Sequence, residues 1–293
     1  MLIKWEVDMD TILKKYNVVG DELFYHRSIR ECYDGESRVE PEVHRQFEVF
    51  YLISGKTSYV IDGQTYEPNP GDMIFVSPNE MHALHIDGGE VYDRAVLLFD
   101  ADILGTLLSR IGISYDDFFL SKSRGLHVIG KETVEKYRLG EALLAVMETD
   151  GDEQYRRLVT VARLIEFLAR LDEMARSDRL ITTLPSSEDE LVRRAIGYVD
   201  EHIGERIRLD EIAGALFVSK STLCHRFSKY MSISITRYVN VRKMHYADEL
   251  IRRGLTATEA AARVGFDNYA AFLYNFKHLV GRLPTERHKA IKP

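Results

Sequence analysis

Two groups of side chains have the types and spacing to do chemistry. The first lies near the carboxyl end. Ser219 suits a helix N-cap, and after it Leu223 and Phe227 stand at i, i+4 on one helix face. Lys220, Ser221, Cys224 and His225 fall on the other face, with Lys229 further along. The arrangement recurs downstream. Asp267 or Asn268 can cap a helix through Lys277, with Phe272 and Phe276 inward and Tyr269, Ala270 and Tyr274 outward. Small polar and aromatic side chains on such a face can exchange hydrogen bonds or stack, and its lysines carry positive charge. The second group is His44, Glu48 and His82, residue types that Zn or Fe accepts as ligands. Arg27, Tyr33 and Arg38 are further polar residues able to line a pocket. His82 and His85 differ by three positions, so on a straight strand they face opposite ways and at most one lines that pocket.

Other elements must hold these groups in place. Upstream of Ser219, Ile212, Ala213 and Leu216 mark the buried face of a short helix, and Phe217-Val218 make a tight turn. Two short helices, a tight turn and a small alanine at their crossing form a helix-turn-helix. Upstream of Asn268, Thr256 and Glu259 form a capping box, Ala260, Ala261 and Val264 point inward, and Gly265 suits a left-handed helix stop. Tyr238, Val241, Met244, Tyr246, Ala247, Leu250 and Ile251 suggest a helix connecting the two units.

Residues 21–100 read as short strands with turns at Ser54-Gly55-Lys56, Asp62-Gly63 and Pro68-Asn69-Pro70-Gly71. That cadence predicts a small antiparallel barrel or sandwich. From 131 to 176 the period changes to that of helices, with Tyr155, Leu158, Val159, Ala162, Ile165, Leu168, Ala169 and Leu171 at three- and four-residue steps. These helices either close the barrel's core or pair with a second subunit, the core being the simpler expectation for each residue. Arg176 to Asp189 reads as a linker.

The chain has 293 residues and a formal net charge of −7. An acidic balance argues against nucleic acid until its distribution is considered. Residues 188–293 hold 18 Lys/Arg against 13 Asp/Glu, a net +5 that leaves −12 on the rest, and from Lys220 onward the balance is +9. A basic carboxyl segment on an acidic body points to a polyanionic partner. No stretch is long and apolar enough to span a membrane, and Met1–Glu6 shows no basic start followed by an apolar core of the kind a signal peptide has. Cys32 and Cys224 stand far apart, which fits no disulfide framework and a reducing cytoplasm.

The last hundred residues resemble the DNA-binding domain of AraC/XylS-type regulators. The stretches that carry the resemblance are Leu209–Ala213 with Val218–Phe227, then Ile233-Ser234 with Tyr238 and Lys243–Ala247, then Gly265–Lys277 with Gly281 and Pro284. His225 and Tyr274 stand where the family commonly has arginines, Ser232 replaces a glycine, and Arg287 and His288 replace an aromatic and an arginine. The resemblance implies two recognition helices in the major groove. Ser221, Cys224, His225, Tyr269, Ala270 and Tyr274 would read bases, and Lys220, Lys229, Asn268 and Lys277 would meet phosphates.

Residues 20–100 resemble the cupin family more loosely, through His44-x-x-x-Glu48 with Gly55 and through Gly71-Asp72 with Pro78 and His82. Gln46 stands where metal-binding cupins would carry a second histidine. This resemblance implies a sensor whose ligand is met by Arg27, Tyr33, Arg38, His44, Glu48 and His82 without metal, a divalent ion on His44, Glu48 and His82 being the alternative.

Together these readings predict a multi-domain α+β chain. Residues 1–125 form a cupin-like antiparallel β-barrel that senses a ligand, 126–186 a helical dimerisation segment and linker, and 187–293 an all-α domain of two helix-turn-helix units. The expected partners are double-stranded DNA, a small-molecule effector (carbohydrate being the family-typical class), a second copy of the chain, and RNA polymerase if the protein activates. A metal-dependent isomerase or dioxygenase with an appended DNA-binding domain is the competing enzymatic reading, and a ligand-free dimerisation module the third.

Overall fold

The computed structural model describes residues 12–18, 23–30, 37–38, 41–114, 127–146, 148, 151–177, 187–231, 233–280 and 282–285. Cys32, Tyr33, Ser232, Gly281, Arg287 and His288, all singled out above, lie outside the described residues. The chain divides into two compact units, one holding most of residues 6–187 and the other residues 188–293.

The N-terminal unit is built from strands β1 (Ile12–Val18), β2 (Leu23–Arg30), β3 (Ser37–Arg38), β4 (Phe47–Ser54), β5 (Thr57–Ile61), β6 (Gln64–Tyr66), β7 (Met73–Val76), β8 (His82–Ile86) and β9 (Tyr92–Phe99). Helix α1 (Ala101–Arg110), strand β10 (Val128–Ile129) and helices α2 (Lys131–Lys136), α3 (Leu139–Ala145) and α4 (Glu153–Ser177) follow. One sheet runs β1-β2-β9-β4-β7-β10, and a second runs β6-β5-β8-β3. The neighbours in the larger sheet are antiparallel throughout. Asp62 and Gly63 both take positive φ, at 43° and 83°, as a primed two-residue hairpin turn demands.

Strand alternation sorts the larger sheet into two faces. Phe47, Val49, Met73, Phe75, Ala95, Leu97 and Phe99 pack in one cluster with Val134, Leu139, Leu143, Leu164, Phe167, Leu168 and Leu171 from the helices. The residues between them on the same strands, Phe50, Leu52, Ile74, Val76, Val96 and Leu98, join Tyr59, Ile61, Leu84 and Ile86 of the smaller sheet in a second cluster. Both faces of β4, β7 and β9 are therefore buried, which explains near-continuous apolar runs such as Ala95–Phe99.

Helix α4 departs from the expectation of one core face. Thr160, Leu164, Phe167, Leu168, Leu171 and Met174 are buried, whereas Tyr155, Leu158 and Ile165 are exposed large hydrophobics, Leu158 by 65%. The helix carries two apolar faces, and periodicity alone merged them.

The C-terminal unit holds α5 (Glu190–Glu201), α6 (Leu209–Ala215), α7 (Lys220–Met231), α8 (Ile235–Arg252), α9 (Ala257–Arg263) and α10 (Tyr269–Val280). Helix α5 had no separate place in the sequence reading. The Asp189 carboxylate caps it, accepting from the backbone N–H of Leu191 and Val192 at 3.0 and 3.2 Å. The pairs α6–α7 and α9–α10 are the two helix-turn-helix units, and α8 connects them. Ile212, Ala213, Leu216, Leu223, Phe227 and Tyr238 are buried in the first. Met244, Ala247, Leu250, Ala260, Ala261, Val264, Phe272 and Phe276 form the core of the second.

Candidate functional site

Each of α7 and α10 has one dry and one wet face. On α7, Leu223 and Phe227 are fully buried, and Phe227 meets Tyr238 edge-on with ring centroids 5.3 Å apart. Lys220, Ser221, His225 and Lys229 are exposed, and Cys224 is half-buried. Ser219 caps α7, its Oγ accepting from the Thr222 N–H at 3.1 Å. On α10, Phe272 and Phe276 are buried while Tyr269, Ala270, Tyr274 and Lys277 are exposed, Tyr274 by 72%. The Asn268 side chain accepts from the Ala271 N–H at 3.1 Å, so Asn268 is the cap that the sequence left open between two residues. Asp267 instead accepts from Arg206 at 2.9 Å.

Each helix N-terminus thus sits beside an exposed polar face, the arrangement that meets phosphates at one end and base edges along the side. Neighbours modify the expected contacts. Lys220 lies 3.2 Å from Asp210, an exposed pair that competes weakly for its charge. Tyr269 leans on Phe272, and Tyr274 stacks on His278 with centroids 6.1 Å apart. His278 extends the aromatic face of α10 by one turn and was missed in the sequence.

The second group converges between the two sheets. Glu48, paired with Leu98 and Val76 across its neighbouring strands, points to the inner side and is fully buried. His82 follows from β8 and is buried as well, while His85 is half-exposed. His44 places one ring nitrogen 3.0 Å from the Gln46 carbonyl and the other 3.1 Å from Glu48. His82 does the same with the Glu80 carbonyl at 3.0 Å and Glu48 at 3.5 Å. Gln46 therefore serves the centre through its backbone. The Tyr59 hydroxyl donates to the remaining Glu48 oxygen.

Burial alone would discharge these groups. Although burial opposes it, the Glu48 carboxylate raises His82 to about 9, and the two histidines hold Glu48 well below the usual carboxylate range. His44, buried beside the charged His82, is lowered. Burial and Glu48 together push the Tyr59 hydroxyl well up, keeping it a neutral donor. Buried Arg94 donates to the Tyr92 hydroxyl at 3.3 Å; burial opposes its charge, and the neighbouring Tyr92, with the Glu48 carboxylate, raises its pKa all the same.

Ligand atoms of His44, Glu48 and His82 lie within 4.8 Å of one another, close enough to be considered for a metal. Yet both Glu48 oxygens already have protein partners, in Tyr59 and the two imidazoles, so the charges balance as an ion-pair network. Tyr59 and Arg94 were missed in the sequence, where neither strand alternation nor strand partners were known. Glu42 was also missed. Its backbone exchanges two hydrogen bonds with His82, at 2.8 and 3.0 Å. Arg27 pairs with Ala95 and Arg38 with His85 along their strands.

Two family models match the chain: an AraC-like ligand binding domain over residues 24–168 and a helix-turn-helix domain over residues 212–290. The chain belongs to the AraC family of transcriptional regulators. Its AraC-type relatives include the uncharacterized HTH-type transcriptional regulator YbfI of Bacillus subtilis, 22% identical over 77% of this chain and 78% of that one. The Msm operon regulatory protein of Streptococcus mutans is 23% identical over 91% and 92% of the two chains. Among solved structures, wild-type ToxT of Vibrio cholerae with bound unsaturated fatty acid aligns with a TM-score of 0.38 and 13% identity, over 93% of this chain and 95% of that one. As an AraC-type regulator, the chain combines a ligand-binding domain, which holds the Glu48 centre, with the helix-turn-helix domain that presents α7 and α10. No helix among the described residues is long and apolar enough to cross a membrane.

Proposed function

We propose that this regulator binds duplex DNA by laying α7 and α10 in successive major grooves of one face. Ser221, Cys224, His225, Tyr269, Ala270 and Tyr274 meet base edges, and Lys220, Lys229, Lys277 and the Asn268-capped helix end meet phosphates. The observation that carries this reading is the paired wet faces on two helices whose Phe227 and Phe276 sides are fully buried. The N-terminal unit senses rather than catalyses, since the Glu48 oxygens are committed to Tyr59, His44 and His82. A hydrogen-bonding effector, with sugars the first class to test, exchanges partners with this centre. It switches the protein only by binding two states unequally. The protein works in the cytoplasm as a dimer through the outer stripe of α4, where Tyr155, Leu158 and Ile165 recur on one exposed face.

Selection of bound duplexes from a random pool, with and without sugars, tests the DNA reading. Enrichment of a site with two half-sites is expected, and recovery of unrelated sequences overturns it. Ile165→Glu in α4 is expected to convert a dimer to a monomer in sedimentation, and an unchanged species refutes the α4 interface.

A further inference from the structure

Within the C-terminal unit, Lys243 occupies an unusual position. It lies on the connecting helix α8, is only 4% exposed, and with one ammonium reaches both the turn that leads into the first helix-turn-helix unit and the end of α9 in the second. Its Nζ donates to the carbonyl of Val264 at 2.7 Å and to the carbonyl of Glu205. Val264 ends α9 of the second unit. Glu205 lies in the turn between α5 and α6, where the first unit begins.

The backbones meet at the same point. Gly265 has φ +73°, and a Cβ there would lie 2.9 Å from the Arg206 nitrogen and 3.0 Å from the Glu205 carbonyl carbon. Only glycine lets the two turns approach this closely. Outside the junction, Arg206 donates to Asp267 at 2.9 Å. Beside it on α8, buried Arg242 pairs with Asp200 of α5.

Burying an ammonium is costly, and burial together with nearby Arg206 lowers the Lys243 pKa. An apolar side chain would fill the same space without that cost, but it would leave both carbonyls without this donor and let the turns slide. A charged group bonded to two fixed acceptors sets a geometry that apolar packing does not. One tie holds the turn that leads into α6, the helix before α7, and the other holds the end of α9, the helix before α10.

We propose that Lys243 fixes the separation and phase of the two recognition helices, and so sets which spacing of DNA half-sites the protein accepts. It is a positioning residue and touches no base. The inference rests on the DNA-binding reading above.

The test uses the full chain and duplexes carrying the selected site, unaltered or with one base pair inserted or removed between half-sites. Wild type is expected to lose about tenfold or more in affinity on either change. Lys243→Met, which keeps the stem and removes the donors, is expected to bind all three duplexes within about threefold of one another. Lys243→Arg, which restores donors, is expected to recover discrimination. If Lys243→Met does not fold, Lys243→Gln replaces it, since a shorter amide cannot reach both carbonyls.

A variant that weakens on all three duplexes equally, keeping the wild-type ratio, overturns the proposal, because a merely structural role acts on the folded fraction alone. Wild type that itself shows no spacing preference on a specific site overturns it too. Absence of any specific site refutes the DNA-binding reading instead, so the two failures are distinct.

Discussion

Glu48→Gln replaces one oxygen by an amide nitrogen inside the N-terminal unit and removes the charge that sustains His82. The folded-state pKa of His82 stands at about 9 against an ordinary 6.5. At 1.36 kcal/mol per unit, that difference favours the imidazolium by about 3 kcal/mol. Below pH 6.5 folded and unfolded chains both hold the proton, and the contribution is complete. Between 6.5 and about 9 the unfolded chain has lost its proton while the folded chain keeps it, so stability falls as pH rises. Above about 9 the contribution is gone. In Glu48→Gln the burial that Glu48 had overcome takes control, and His82 titrates below 6.5. Ring-proton NMR of His82 against pH reads the shift directly. Denaturant unfolding at about pH 6 and about pH 9.5 reads its consequence, a loss of about 3 kcal/mol in wild type that is absent from the variant. A wild-type His82 near 6.5, or one indifferent to the substitution, would refute the ion-pair account of this centre.

Phe217 sits in the α6–α7 turn at φ 57° with its side chain 91% exposed, so its ring buries almost nothing to offset the left-handed backbone. Phe217→Gly is expected to raise stability by about 1 kcal/mol in thermal melts, the relief exceeding the entropy cost of glycine, and a lower melting temperature contradicts this. Asp189 caps α5 and accepts from Arg226 of α7 at 2.8 Å. Asp189→Ala is expected to cost about 2 kcal/mol and Asp189→Asn less, since the amide keeps the cap; equal losses in denaturant unfolding would show that the cap contributes little. Tyr274→Ala is expected to weaken binding to the selected site by about 1–3 kcal/mol in titrations while leaving the salt slope on random DNA unchanged, and equal loss on both DNAs shows that this ring reads no base.

Local rules made much of the C-terminal unit legible. Leu223 with Phe227 and Phe272 with Phe276 needed only the helical period, and all four are buried. Thr256 forms its capping box with Glu259, and Gly265 takes positive φ. These features are decided within a few residues of chain. The N-terminal centre was harder to read because it depends on pairing. His44, Glu48 and His82 stood out by residue type and do converge, but Tyr59 and Arg94 join them only through the packing of β5 and β9 in different sheets; β5 alternates, whereas β9 is buried on both faces and shows no alternation. Lys243 entered the sequence reading only within the stretch that resembles the family, and its role as a tie was hidden for a related reason. A lysine in an amphipathic helix reads as solvated, and only the approach of the Glu205 and Val264 carbonyls makes it an internal tie.

The account stands on α7 and α10 entering neighbouring stretches of major groove, and interference by methylation at guanine N7, an atom of that groove, probes this most directly. On a selected operator the account predicts two clusters of interfering positions about 10 bp apart, the first lost with changes at His225 and the second with changes at Tyr274. A single cluster unaffected by either residue, or no interference at guanine N7 on an operator that the protein still binds, would contradict it.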